Sequence, residues 1–248
     1  MKTQEINYSL GDQNFKAYVA HPELDKAPLI LIAHTWAGKD DFVELKAREL
    51  AEEGFIAMAV DMYGDGRVGS STEENQSLMA PLVEDREKLK SVINAALNAG
   101  KELEGVDSTK IAAIGYCFGG LVVLDLARSG TELNGVVSFH GLLMGSEISS
   151  DGINAKILVL HGERDPMVPL AMVDEFQKEM TEAGADWQLH SYGNAYHAFT
   201  NPDADDLDFG VQYNQNADKR SLKGAIPALM NNKVGSFKGT KEALSTSV

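Results

Sequence analysis

The only cysteine in the chain, Cys117, lies in "IAAIGYCFGG" (111–120), with Gly115 two residues before it and Gly119 two residues after it. A thiolate is a strong nucleophile, and a nucleophile is best presented on a sharp strand-to-helix turn. Such a turn strains the backbone, and side chains two residues to either side would collide with it. Glycine at both positions removes the collision. "GYCFG" therefore matches the pattern G-x-S-x-G with cysteine in place of serine. A helix N-terminus directly behind Cys117 would favour the thiolate and offer backbone N–H groups to an oxyanion. The competing reading is a buried, inert thiol beside packing glycines. The place of the pattern, between an apolar strand and an apolar helix, favours the nucleophile.

A cysteine nucleophile needs a base, and the base needs an orienting group. "LVLHGERDPMVP" (158–169) puts Asp165 in a loop beyond an apolar run, stiffened by Pro166 and Pro169. "YGNAYHAFT" (192–200) puts His197 in the loop beyond the next strand. The chain order nucleophile, acid, histidine is one known order for such triads. Both loops fall at strand C-terminal ends, where open α/β sheets keep their active sites. The second oxyanion donor is expected in "LIAHTWAGKDD" (31–41), with the N–H groups of Trp36 and Phe118 as the pair. Trp36 also reads as a wall of the substrate pocket.

The elements that must position these residues alternate along the chain. Residues 4–9 and 14–20 read as two strands around a Gly11-Asp12 turn. "PLILIAH" (28–34), "FIAMAVDMY" (55–63), "KIAAIGY" (110–116), "GVVSFH" (135–140) and "KILVLHG" (156–162) read as strands buried on both faces. A last strand is expected at 187–192. Helices are predicted over 41–53, about 72–100 with an interruption near Pro81, 118–129, about 169–183 and about 216–231. This is an α/β pattern: a mostly parallel central sheet flanked by helices on both faces. It predicts one domain over 1–231 and a loosely held C-terminal tail over 232–248.

Composition narrows the function classes. The chain has 248 residues, 44% hydrophobic and 24% charged, as a globular domain without disulfides or structural metal would. A net charge of −15 argues against nucleic acid and anionic membrane surfaces as partners. The N-terminus has no apolar signal-like region, and no stretch approaches the ~18 apolar residues of a membrane helix. A lone cysteine makes no internal disulfide, which suits a reducing cytoplasm.

The motifs together resemble the dienelactone hydrolase family. Those carrying the likeness are "HTWAGKDDF", "DMYGDG", "GYCFGG", "HGERDPMVP" and "YHAF", joined by "YNQNADKRS" before the last helix. The resemblance implies an α/β-hydrolase fold, a Cys–His–Asp triad, ester or enol-lactone substrates and no cofactor. The triad carries over to Cys117, His197 and Asp165. Family members that act on dienelactone have a glutamate just before the first oxyanion donor, where this chain has Thr35. They also bind the substrate carboxylate with two arginines. Asn201 stands at one of these positions, and Arg67 in "DMYGDGRVG" is a loose match for the other. The substrate expected here is accordingly a small neutral ester or lactone.

Other patterns point elsewhere. Gly64 to Gly69 matches G-x-G-x-x-G after a strand, but the polar "SSTEENQ" that follows is no dinucleotide-binding helix start. His34 and His140 read as packed or hydrogen-bonded, since no metal-ligand spacing accompanies them. His161 and His190 read as structural, His21 as surface, and Asp61 as a loop cap. The nine methionines read as core filling. A redox-sensing or non-catalytic protein on the same scaffold has no need of His197 and Asp165 in triad order. An acyl transferase or thioesterase would share every residue named here.

Overall fold

The computed structural model describes residues 1–146 and 152–230, so the expected tail over 232–248 lies outside the described residues. β1 (Lys2–Leu10) and β2 (Gln13–His21) form the expected hairpin. The buried apolar runs become β3 (Ala27–Ala33), β4 (Ile56–Val60), β5 (Val106–Tyr116), β6 (Gly135–Phe139) and β7 (Lys156–Gly162). With β8 (Trp187–Tyr192) they make one sheet in the order β1-β2-β4-β3-β5-β6-β7-β8. β4, β3, β5, β6, β7 and β8 are parallel neighbours, and β1 and β2 add an antiparallel edge.

The strand order reverses at β3, which has β4 on one side and β5 on the other. That reversal opens a crevice at the C-terminal ends of β3 and β5. Ala33 pairs with Gly115 in register, so the loop after β3 and the turn after β5 leave the sheet side by side.

Alternating residues of the strands feed two cores. Ile30, Ile32 and Ala57 pack with α1 (Asp41–Glu52) and α6 (Gln215–Met230) on one face. Leu29, Leu31 and Met58 pack with α3 (Arg86–Lys101), α4 (Phe118–Arg128) and α5 (Leu170–Glu182) on the other. Every residue of α4 is buried, which is why it reads as apolar all round.

The structure corrects three expectations. The helix over 72–100 breaks at Asp85, not at Pro81. α2 (Thr72–Glu84) runs through Pro81, and the Asp85 carboxylate then accepts the Lys88 N–H at 2.9 Å to start α3. The strand over 55–63 ends at Val60 because Asp61 gathers the loop beyond it. Its buried carboxylate accepts N–H bonds from Tyr63, Gly64, Gly66 and Lys16 at 2.8–3.1 Å. A small hairpin, β9 (Asp205–Asp206) with β10 (Val211–Gln212), was not expected at all.

A buried ionic chain ties the helices of one face together. Asp125 and Arg128 of α4 are fully buried and pair at 3.0 Å. Asp125 also receives Arg86 at 2.5 and 2.6 Å, and Arg128 reaches Glu179 at 2.7 Å through two nitrogens. Each buried charge is thus matched, which its desolvation requires.

Candidate active site

Cys117 sits at the turn from β5 to α4 with φ 56° and ψ −116°, a conformation that costs a non-glycine residue about 1–3 kcal/mol. Its N–H is tied to the Phe139 carbonyl at 3.1 Å. The flanking glycines explain how the turn closes. A Cβ at Gly115 would lie 1.9 Å from the Gly119 carbonyl oxygen, and one at Gly119 would lie 2.1 Å from that of Ala33. Only hydrogens fit between β5, β3 and the first turn of α4.

Asp165 and His197 come from the loops after β7 and β8 and meet at the same place. His197 Nδ1 donates to Asp165 Oδ2 at 2.8 Å, and Asp165 Oδ1 accepts the Met167 N–H at 2.9 Å. Both side chains are buried. The unexpected hairpin holds His197 from behind: its N–H donates to the Gly210 carbonyl, and its carbonyl accepts the Gln212 N–H. The free face of the imidazole, Nε2, is buried without a conventional hydrogen-bond partner and is turned to the Cys117 thiol.

Electrostatics make these two groups a charge pair. Burial alone would raise the thiol. The neighbouring His197 charge, with the N–H groups of Phe118 and Trp36, outweighs it and holds Cys117 below the ordinary thiol range. Burial likewise opposes a charged His197, yet the thiolate and Asp165 push it up to about 10. Each group thus favours the charged form of the other.

The structure brings the backbone N–H groups of Trp36 and Phe118 to Cys117. Their side chains part company. The Trp36 ring walls the pocket and stacks on Phe209 of the new hairpin at 5.7 Å. The Phe118 ring is fully buried and stacks on Tyr63 at 6.0 Å, so it offers no contact to a substrate. Thr35 and Asn201 line the pocket. Each side-chain oxygen is already engaged locally, Thr35 Oγ1 by the Ala37 N–H and Asn201 Oδ1 by the Asp203 N–H.

Arg67 is not brought to the site. Its guanidinium turns back onto the carbonyls of Tyr63 and Gly64, which the turn leaves without strand partners. The G-x-G-x-x-G stretch around it is pinned to the oxyanion loop by a Gly69 N–H to Ala37 carbonyl bond and a Gly38–Val68 bridge. It forms a brace for that loop rather than a phosphate cradle.

The cavity in front of Cys117 measures about 510 Å³. Among the described residues its lining holds no Lys, Arg, Asp or Glu. Beyond the expected residues, Phe42, Gln76, Met79, Leu142, Met167 and Phe209 line it. His140 also faces it, edge-on to His197 at 5.2 Å, with Nε2 bound to Thr200 Oγ1 at 2.8 Å. Burial holds His140 well below the usual histidine range, so it stays neutral beside the charged His197. Sequence reading gave His140 only a packed or hydrogen-bonded role. Gln76 and Met79 were hidden in an ordinary-looking helix, and Phe209 in an acidic loop. Among the described residues there is no cluster of His, Cys, Asp and Glu that could hold a metal, and no helix long and apolar enough to cross a membrane.

Residues 15–232 match the family model of the dienelactone hydrolase family. The chain belongs to that family. A protein of Yersinia pestis provisionally named a carboxymethylenebutenolidase is 27% identical over 206 residues, 77% of this chain and 76% of its own. The solved structure named m3DLH is 34% identical with a TM-score of 0.88, covering 92% of this chain and 97% of its own. A dienelactone hydrolase-like promiscuous phosphotriesterase from metagenomic libraries is 32% identical, also with a TM-score of 0.88 and the same coverage. Membership implies hydrolysis of small ester or lactone substrates, and the fold is that of the α/β-hydrolases.

Proposed function

We propose that this dienelactone hydrolase family member cleaves neutral carboxylic esters and lactones through an acyl-enzyme on Cys117. One observation carries the reading: the Cys117 thiol, held below its ordinary range beside His197 and two N–H donors, opens into a cavity whose described lining bears no Lys, Arg, Asp or Glu.

The Cys117 thiolate attacks the carbonyl carbon, and the carbonyl electrons move onto oxygen. The N–H groups of Trp36 and Phe118 stabilise that oxyanion. Collapse breaks the C–O bond, and the leaving alkoxide takes the proton from His197 Nε2. A thioester remains. Neutral His197 then takes a proton from water as the water attacks the thioester, and the second oxyanion expels the thiolate. Asp165 keeps Nδ1 as the donor nitrogen and stabilises the imidazolium in both halves.

The lining explains the preference for neutral substrates. A substrate carboxylate buried without a cation keeps several kcal/mol of unrecovered desolvation, about the cost of an unpaired buried ion. Asn201 and the retracted Arg67 supply no such cation. The protein's charge of −15 also repels anions at low salt. The lone thiol, which must stay reduced, suits a cytoplasmic enzyme.

The test is stopped-flow hydrolysis of p-nitrophenyl acetate, followed by kcat/KM for matched neutral and carboxylate-bearing esters at low and high salt. We expect a p-nitrophenolate burst of one equivalent per active site in the wild type and none in C117A. The neutral ester should be preferred at both ionic strengths. A full burst in C117A would end the acyl-enzyme reading, and preference for the anion would end the substrate reading. Neutral phosphotriesters are a second reading, favoured by likeness to the metagenomic phosphotriesterase together with the uncharged cavity. Cysteine-dependent release of p-nitrophenolate from a neutral phosphotriester tests it.

A further inference from the structure

His34 is fully buried directly before the oxyanion loop and touches no substrate space. Its Nε2 lies 3.2 Å from the Met62 nitrogen, whose backbone N–H can only donate. Nε2 must therefore accept, and the ring proton belongs on Nδ1. Nδ1 lies 2.5 Å from the Thr35 carbonyl oxygen and donates to it. The ring is thus a neutral spacer with one defined tautomer. Asp61 and Lys39 are the charged groups near it, and burial pushes it down to about 4.

The consequence runs through one peptide plane. No peptide bond described is cis. In a trans peptide the carbonyl oxygen of Thr35 and the N–H of Trp36 point in opposite directions. Holding the Thr35 oxygen towards His34 therefore turns the Trp36 N–H towards the Cys117 sulfur, where it supports the thiolate. The next carbonyl is held as well, since the Tyr63 hydroxyl donates to Trp36 O at 2.8 Å. The His34 and Tyr63 rings meet edge-on at 4.7 Å, and both pack on Phe118, the residue that supplies the other N–H. One ring cluster thus reaches both oxyanion donors.

We propose that His34 is a positioning residue which, with Tyr63, locks the Thr35–Trp36 peptide so that the Trp36 N–H faces Cys117 before substrate arrives. The proposal rests on the acyl-enzyme reading above. It also gives the chain thiolate support at a site where Thr35, unlike a carboxylate, cannot accept the thiol proton.

Asparagine and glutamine separate the two ring nitrogens. The amide of H34N can replace the Nδ1–H donor, whereas the longer H34Q places its amide near the Nε2 position and leaves the Thr35 carbonyl held only by the longer Gly38 N–H bond at 3.3 Å. Loss of one oxyanion donor typically costs about 10²–10³-fold in kcat. We expect H34Q to lose at least about 10²-fold in kcat for p-nitrophenyl acetate with little change in KM, and H34N to stay within about 10-fold of wild type. Alkylation of Cys117 by iodoacetamide should shift to higher pH in H34Q and not in H34N. Y63F, which deletes only a hydroxyl, should lose about 10-fold in kcat, as one net hydrogen bond implies. It decides the matter should H34Q fail to fold. Wild-type kcat and alkylation in H34Q or Y63F, or equal losses in H34N and H34Q that track melting temperature, would overturn the proposal. If C117A still hydrolyses the ester, the acyl-enzyme reading fails, and the alkylation profiles still decide the peptide lock.

Discussion

Gly115→Ala is the sharpest perturbation of the turn that presents Cys117. The added Cβ would lie 1.9 Å from the Gly119 oxygen, 2.2 Å from the Gly119 carbonyl carbon and 2.7 Å from the Gly120 nitrogen. Non-bonded heavy atoms settle near about 3.5 Å, so β5 and the first turn of α4 must part by at least about 1 Å. Neither side can yield cheaply. Every residue of α4 is buried, and Gly115 pairs with Ala33 and Ser138 in the sheet. Overpacking of this kind costs about 1–3 kcal/mol, or roughly 2–12 °C in melting temperature for a chain of this size. The displaced turn carries both Cys117 and the Phe118 N–H. A shift of about 1 Å between reacting groups can cost about 10²-fold in rate. The assay is kcat on p-nitrophenyl acetate beside a thermal melt, with Gly224→Ala in α6 as control. A Cβ at Gly224 meets nothing within 4 Å and should be neutral or stabilising. A Gly115→Ala enzyme with wild-type kcat and melting temperature would refute the steric argument for the turn.

Three further expectations rest on the same structure. Asp125→Ala leaves Arg128 and Arg86 short of a carboxylate in the buried chain, and should cost about 3–5 kcal/mol in urea unfolding; a loss under about 1 kcal/mol would mean the chain is not a structural tie. Because the thiol is held down and His197 stays charged to about 10, iodoacetamide alkylation should already be fast at neutral pH. His197→Ala leaves burial of the thiol less opposed, so its alkylation midpoint should rise, and an unchanged midpoint would dissolve the ion pair. Phe209→Ala removes a stack on Trp36 worth about 0.5–1.5 kcal/mol, and should raise KM for aryl esters about 2–10-fold while sparing acetate esters of small alcohols; equal effects on both would place Phe209 outside the binding surface.

What could be read from the residues was what the chain encodes within a few positions. Gly115, Cys117 and Gly119 lie within one turn, and the apolar runs of β3, β5 and β7 declare strands buried on both faces without reference to anything distant. Asp165 follows the buried β7 run, whereas His197 follows β8, a strand with no fully buried residue, and was read from its place after the next expected strand. The misses share a different origin. Arg67 reads as a free cation until the Tyr63 and Gly64 carbonyls that claim it are in view. Asp125 and Arg128 pair three residues apart within an apolar helix, but their further partners Arg86 and Glu179 stand 39 and 51 positions away and leave no local sign. The β9–β10 hairpin has two residues per strand, too few for an alternation to register, and it is tied to the main chain of His197, which lies outside it.

His34 shows the same limit from the other direction. A histidine ending a strand is unremarkable in sequence, and packed or hydrogen-bonded was the right general expectation. Its role depends on which nitrogen carries the proton, and that is set by the Met62 N–H, 28 positions away. The sheet brings the two together because β3 and β4 are parallel neighbours, with Ala33 opposite Val60. The proposed lock therefore draws on a tautomer chosen in the loop after β4, through a peptide plane that the local motif contains but cannot orient by itself.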